Sequence, residues 1–231
     1  MPQPGTRARG GCHKRMLRFF GLAFAITWIA QFAIVALSIE PGSPPGLALL
    51  LVAGFGPTLA AFLCGRPSRG APADITLILV ALALPSLIGL LFGGHPSGGP
   101  EWIAAILPPL GEEPGWRGFA QERMVARFGR ALGFLLLGLA WSIWHLPTTL
   151  VYGGALAAFP LFVCRTTLVS IWVSWVYERC GLFGALAAHA GLNLGLVGGS
   201  SEVLTFCTWA ALAVGILVSR WPGRRRGETA P

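Results

Sequence analysis

The stretch LRFFGLAFAITWIAQFAIVALSI, from Leu17 to Ile39, decides the fold class. After Arg18 it carries no charge until Glu40. A helix rises 1.5 Å per residue, so about 20 apolar residues cross a hydrocarbon layer of about 30 Å. No small-residue cleavage site follows it and further apolar runs do, which reads as an anchor rather than a removed signal peptide. Similar runs lie between breaker clusters at Pro45 to Cys64, Ile75 to Phe92, Ala131 to Tyr152, Ala155 to Tyr177, Leu182 to Gly198 and Val203 to Val218. A less apolar one covers Trp102 to Gln121. The expectation is an all-α, polytopic membrane helix bundle of about eight transmembrane helices. Composition agrees: of 231 residues, 54 % are hydrophobic and 11 % charged, with a mean hydropathy of +0.67. Soluble domains carry about 25 % charged residues, and a chain so poor in charge cannot cover a water-facing surface.

The basic residues test this division. Arg7, Arg9, Lys14, Arg15 and Arg18 precede or open the first run, Arg66 and Arg69 follow the second, and Arg123, Arg127 and Arg130 follow the fourth. Arg179 follows the sixth, and Arg220, Arg224, Arg225 and Arg226 close the chain. The intervening loops, around Glu40 to Pro44, Gly93 to Glu101, Gly153 to Gly154 and Gly199 to Glu202, hold none. Eight spans in the cell membrane with both termini cytoplasmic satisfy the positive-inside rule throughout, and a six- or seven-span division does not. The net charge of +8 is therefore a topology signal, and no nucleic-acid partner is expected. The five cysteines, Cys12, Cys64, Cys164, Cys180 and Cys207, show no CxxC spacing and read as small hydrophobes.

Two basic residues, Arg117 and Arg165, fall inside spans, as do Glu112, Glu113, His145 and His189, with Asn193 as a polar companion. Ionisable groups at that depth are costly and face a bundle interior or a wet cavity, which makes them default functional candidates. In Gly111-Glu-Glu-Pro-Gly-Trp-Arg-Gly-Phe119, Glu113 and Arg117 are four apart and lie on one helix face, where they can form a buried ion pair. Glu112 is turned about 100° away and is left available as a base. Pro108, Pro109 and Pro114 are expected to kink or break this helix, an irregularity tolerated only against protein or a water-filled cavity. The fifth span supplies His145 before Pro147, and the seventh supplies His189 and Asn193 on one face. Gly191, Gly195 and Gly199 recur on an adjoining face and permit close helix approach.

Each residue also has a structural reading. A lone intramembrane histidine can simply donate to a backbone carbonyl, and His-x-x-x-Asn can be interhelical glue worth about 0.6–2 kcal/mol per hydrogen bond. Arg165 has no acid four residues away and stays unassigned, with a structural or interfacial role preferred. Among chemistries, an aspartyl dyad fails because Asp74 is the sole aspartate, and no His-Glu-x-x-His zinc motif occurs. Gly198-Gly199-Ser200 offers a serine without an evident base. A water activated by Glu112 and His145, with His189 and Asn193 donating to an oxyanion, remains. So does a catalytic zinc held by Glu112, His145 and His189. Both stay open on the sequence.

Glu112-Glu113-Pro-Gly-Trp-Arg117-Gly118-Phe119, Trp144-His145-Leu-Pro147 and Trp175-Val-Tyr177-Glu-Arg-Cys-Gly181 leading to His189-Ala-Gly-Leu-Asn193 closely resemble the three ordered motifs of the CPBP (Abi) family, the CAAX prenyl endopeptidases and bacteriocin-processing or immunity proteins. The resemblance covers a little over a third of the chain. It implies an intramembrane endopeptidase with a peptide or protein substrate, Glu112 as general base and His145 helping to activate water. His189 and Asn193 would be the oxyanion-side or metal-side pair, and Glu113 and Arg117 structural support. One departure is Trp141, where the second motif often has phenylalanine, an aromatic exchange that puts little in doubt. The implied organisation is a tail over 1–16, helices 1–3 over 17–100, a CPBP-type core of helices 4–7 over 101–199, and helix 8 with a basic tail over 200–231. The rival expectation is a non-catalytic membrane immunity or scaffold protein that binds a peptide in the same polar pocket.

Overall fold

A computed structural model of the chain describes residues 4–92, 101–195 and 202–219. These form helices α1 (Pro4–Ala36), α2 (Pro44–Cys64), α3 (Ile75–Leu91) and α4 (Glu101–Gly115), then a π-helical turn at Trp116–Gln121. Helices α5 (Glu122–Phe128), α6 (Arg130–Trp144), α7 (Leu146–Val151), α8 (Phe159–Gly195) and α9 (Glu202–Val218) follow. No strand occurs among the described residues. Four stretches are long and apolar enough to cross a membrane: Lys14–Ala36, Pro44–Cys64, Arg130–Val151 and Leu156–Leu194. Ile75–Leu91 and Val203–Val218 are shorter apolar helices. The fold is an all-helical, multi-pass membrane bundle, and helices occupy most of the described length of each apolar run. The Gly198-Gly199-Ser200 stretch and the C-terminal arginine cluster lie outside the described residues.

One sequence expectation needs correction. Pro108, Pro109 and Pro114 neither break nor end α4, which continues through all three. The irregularity is instead the π-helical turn that starts two residues after Pro114. Wider local winding re-satisfies carbonyls that a proline leaves free, which is how buried membrane helices tolerate it. The sixth and seventh runs are two helices that abut within α8, broken at Gly181, whose φ 61° and ψ −154° are not helical. That conformation is essentially restricted to glycine. A side chain at Gly181 would also strike the carbonyls of Arg69 and Ala71.

The 65–74 connection fills this bend and fixes it. Leu182 N–H donates to the Arg69 carbonyl at 2.8 Å, and Ser68 N–H donates to the Gly118 carbonyl at 2.7 Å. One loop thereby joins the π turn to the bend. The Tyr-Glu pair before the bend is structural: Tyr177 donates to Glu122 at 3.0 Å, and Glu178 pairs with Arg130 of α6 at 2.8 Å.

Helix α4 is pressed onto α2 through Gly111 and Gly115, where added side chains would collide with the backbones of Gly54 and Pro57. Gly191 does the same for α8 against α3, at Leu82. Phe19 of α1, Trp116 and Phe119 of the π turn, and Trp144 of α6 form a buried aromatic core beneath the acid pair. Helix α1 is tied to this end by Trp28 Nε1–H, which donates to the Trp144 carbonyl at 3.1 Å. Burying each such polar group with a partner avoids the several kcal/mol that an unmade hydrogen bond costs in lipid.

Candidate active site

Helices α4, α6 and α8 bring the polar residues together. Glu113 and Arg117, both fully buried, form the ion pair that their spacing predicts, at 3.1 Å. The pair extends further than the sequence suggested. His189 Nδ1–H donates to the same Glu113 oxygen at 2.7 Å, and Arg117 donates a second bond to Ser170 Oγ at 2.8 Å. A chain of His189, Glu113, Arg117 and Ser170 therefore spans the α4–α8 interface. Two charges buried this deeply are tolerable only because each meets a counter-charge and further polar atoms.

Glu112 faces away from that chain, toward α6, and is 4 % exposed. Its Oε2 accepts the indole N–H of Trp141 at 2.7 Å. His145 sits at the end of α6, and its Nδ1–H donates to the Trp141 carbonyl at 2.7 Å, so in the neutral ring Nε2 carries the lone pair. The Trp141 ring stands edge-on to His145 and His189, each 5.2 Å away, with the Arg117 guanidinium 4.7 Å over its face. Trp141 is the residue that sequence reasoning missed. The available signal was its place one helical turn before His145, with an N–H that phenylalanine lacks.

Asn193, one turn beyond His189, donates to the Ala105 carbonyl of α4 at 3.1 Å. It therefore ties α8 to α4 about two turns from Glu112, which is the interhelical role weighed for it above. Glu112, His145 and His189 meet around the packed indole of Trp141. A cavity of about 460 Å³ lies alongside, between α8 and α9. Phe162, Arg165, Thr166, Thr205 and Trp209 line it, and none of the four expected site residues does. Phe162 separates it from His145, with ring centres 5.6 Å apart.

The zinc set Glu112, His145 and His189 does not fit as arranged. Among the described residues no group of three His, Cys, Asp or Glu side chains is placed to hold a metal ion. His189 and His145 commit only Nδ1 and Glu112 only Oε2, so Nε2 of each ring and Oε1 of the carboxylate keep their lone pairs. The described cysteines, Cys64, Cys164, Cys180 and Cys207, are free thiols.

Fold and site together define a multi-pass membrane protein with two buried glutamates, a buried histidine and a half-buried one between its helices. Residues 100–195, which carry every one of these side chains, match the family model described as Type II CAAX prenyl endopeptidase, Rce1-like. That description is of the family which the three motifs resemble. The match covers less than half of the chain. No curated protein is similar enough to match it.

Proposed function

We propose that this protein hydrolyses a peptide bond at the membrane with a water activated by Glu112. The observation that carries the reading is the division between the two glutamates. Glu113 accepts hydrogen bonds from the Arg117 guanidinium and from His189, whereas the side-chain hydrogen bond to Glu112 comes from a neutral indole. A carboxylate with a neutral partner keeps its charge for a proton, as a general base must. Glu112 takes a proton from water, and the oxygen attacks the scissile carbonyl carbon. The C–N bond then breaks, and the proton passes from Glu112 to the leaving amine. His145, its tautomer set by the Trp141 carbonyl, accepts through Nε2 and orients the water. In its protonated form His189 would balance Glu113 and keep Nε2–H as a donor to the oxyanion. Asn193 holds α8 and α4 at the spacing this requires.

Each invoked group has an expected magnitude: removal of a general base costs about 10²–10⁴-fold, and of an oxyanion donor about 10²–10³-fold. The substrate is a membrane-associated peptide or protein. Comparing peptide termini in cells with and without the protein tests this, since a cleavage product should be lost on deletion and restored by wild type but not by Glu112→Gln. Restoration by Glu112→Gln would refute the role of the base. The alternation of basic loops supports termini on the cytoplasmic face, where a reporter fused at either end should be active. A reporter active only on the opposite face would reverse that topology.

A further inference from the structure

Trp141 meets four ionisable groups of the cluster at once. Its indole N–H bonds Glu112, its carbonyl bonds His145, its face carries Arg117, and its ring edge contacts His189. At 3 % exposure it is nearly inaccessible. Only one of these contacts requires tryptophan. The carbonyl belongs to the backbone, and any aromatic ring could support the two histidines and the guanidinium. The N–H donor is the polar group that phenylalanine lacks.

That donor acts on the group that most needs to be held. A glutamate has three side-chain torsions, and ordering it costs up to about 2 kcal/mol. A carboxylate that can rotate presents either oxygen in many directions. A 2.7 Å charge-assisted bond on Oε2 fixes the carboxylate plane and assigns the two oxygens different tasks. Arg117 over the indole face and the two histidines at its edges hold the ring in turn, so the donor does not move. The arrangement is a rigid second support beneath a group that must stay within about 1 Å of its working position.

We propose that Trp141 is the positioning residue of this site, its indole N–H locking Glu112 through Oε2 so that Oε1 receives the proton of the attacking water. The same residue, through its carbonyl, sets the tautomer of His145, so one helical turn aligns both groups that act on the water. The assignment of a water to Glu112 rests on the reading given above, whereas the bond from Trp141 to Glu112 does not depend on it.

Two measurements separate them. In purified protein carrying ¹⁵N-labelled tryptophan, the indole peak of Trp141 is the one absent from Trp141→Phe. If that variant does not fold, phenylalanine substitutions at the other tryptophans assign the peak by elimination. The peak should move in Glu112→Ala. On a cleaved peptide, Trp141→Phe should lower kcat roughly 10- to 100-fold while KM stays within about twofold, a split that a general loss of packing would not give. An indole peak that ignores Glu112→Ala, or a Trp141→Phe enzyme with wild-type kcat, would overturn the proposal. A responsive peak in a wild-type protein that cleaves no peptide would uphold the positioning bond and remove the protease reading instead.

Discussion

His189 and Arg117 meet on a single oxygen, Oε1 of Glu113, at 2.7 Å and 3.1 Å. His189 and Glu113 lie 76 residues apart, and their bond closes the interface between α4 and the second half of α8. Glu113 is the hub that keeps two basic groups buried and in place.

Removing that hub should cost more than removing the whole ion pair. Glu113→Ala leaves Arg117 buried without its counter-charge, a loss of about 3–5 kcal/mol by analogy with broken buried pairs. Glu113→Ala combined with Arg117→Leu removes the orphaned charge and should recover part of the stability. Thermal melts of the detergent-solubilised protein check this. A double variant as unstable as the sum of the two single ones would contradict it.

The bend at Gly181 gives a second, purely structural expectation. Alanine there must adopt a conformation costing about 1–3 kcal/mol and also displace the carbonyls of Arg69 and Ala71. Gly181→Ala should therefore lower the melting temperature and loosen the 65–74 connection, seen as faster proteolysis there. Gly21→Ala, on an open face of α1 with nothing within 4 Å of the added carbon, should leave the melting temperature unchanged or raise it. Equal effects at the two positions would contradict the account of the bend.

Much of this architecture is legible in the sequence, and the boundary is physical. Glu113 and Arg117 could be paired because helical geometry is local and fixes the i, i+4 relationship. The apolar runs and the basic loops between them mark where helices lie, because hydropathy acts residue by residue. What could not be read were contacts made across helices by residues distant in sequence, such as Trp141 with Glu112 and His189 with Glu113. The role of Trp141 was discounted because an exchange of one aromatic for another looks neutral until the position of its N–H is known. The continuity of α4 through three prolines was missed for a related reason: the neighbouring helices and the π turn, not the sequence of α4, decide whether freed carbonyls find partners.

Metal dependence follows from the donor arrangement. Among the described residues no three potential ligands are gathered around one point, so peptide cleavage is expected to survive exhaustive dialysis against a chelator. Elemental analysis of that active protein should find zinc far below one atom per chain. Activity lost on chelation and restored by zinc alone would contradict a glutamate-activated water acting without metal.

The most direct test is cleavage of a membrane-tethered peptide by purified, reconstituted protein, with Glu112→Gln, His145→Ala and His189→Ala compared with wild type. Each variant must first be shown to insert and melt cooperatively. The account predicts that Glu112→Gln loses at least about 100-fold in kcat. It also predicts that the histidine variants are strongly impaired while the protein remains folded. Wild-type turnover by all three would contradict the assignment of this buried cluster as the catalytic centre.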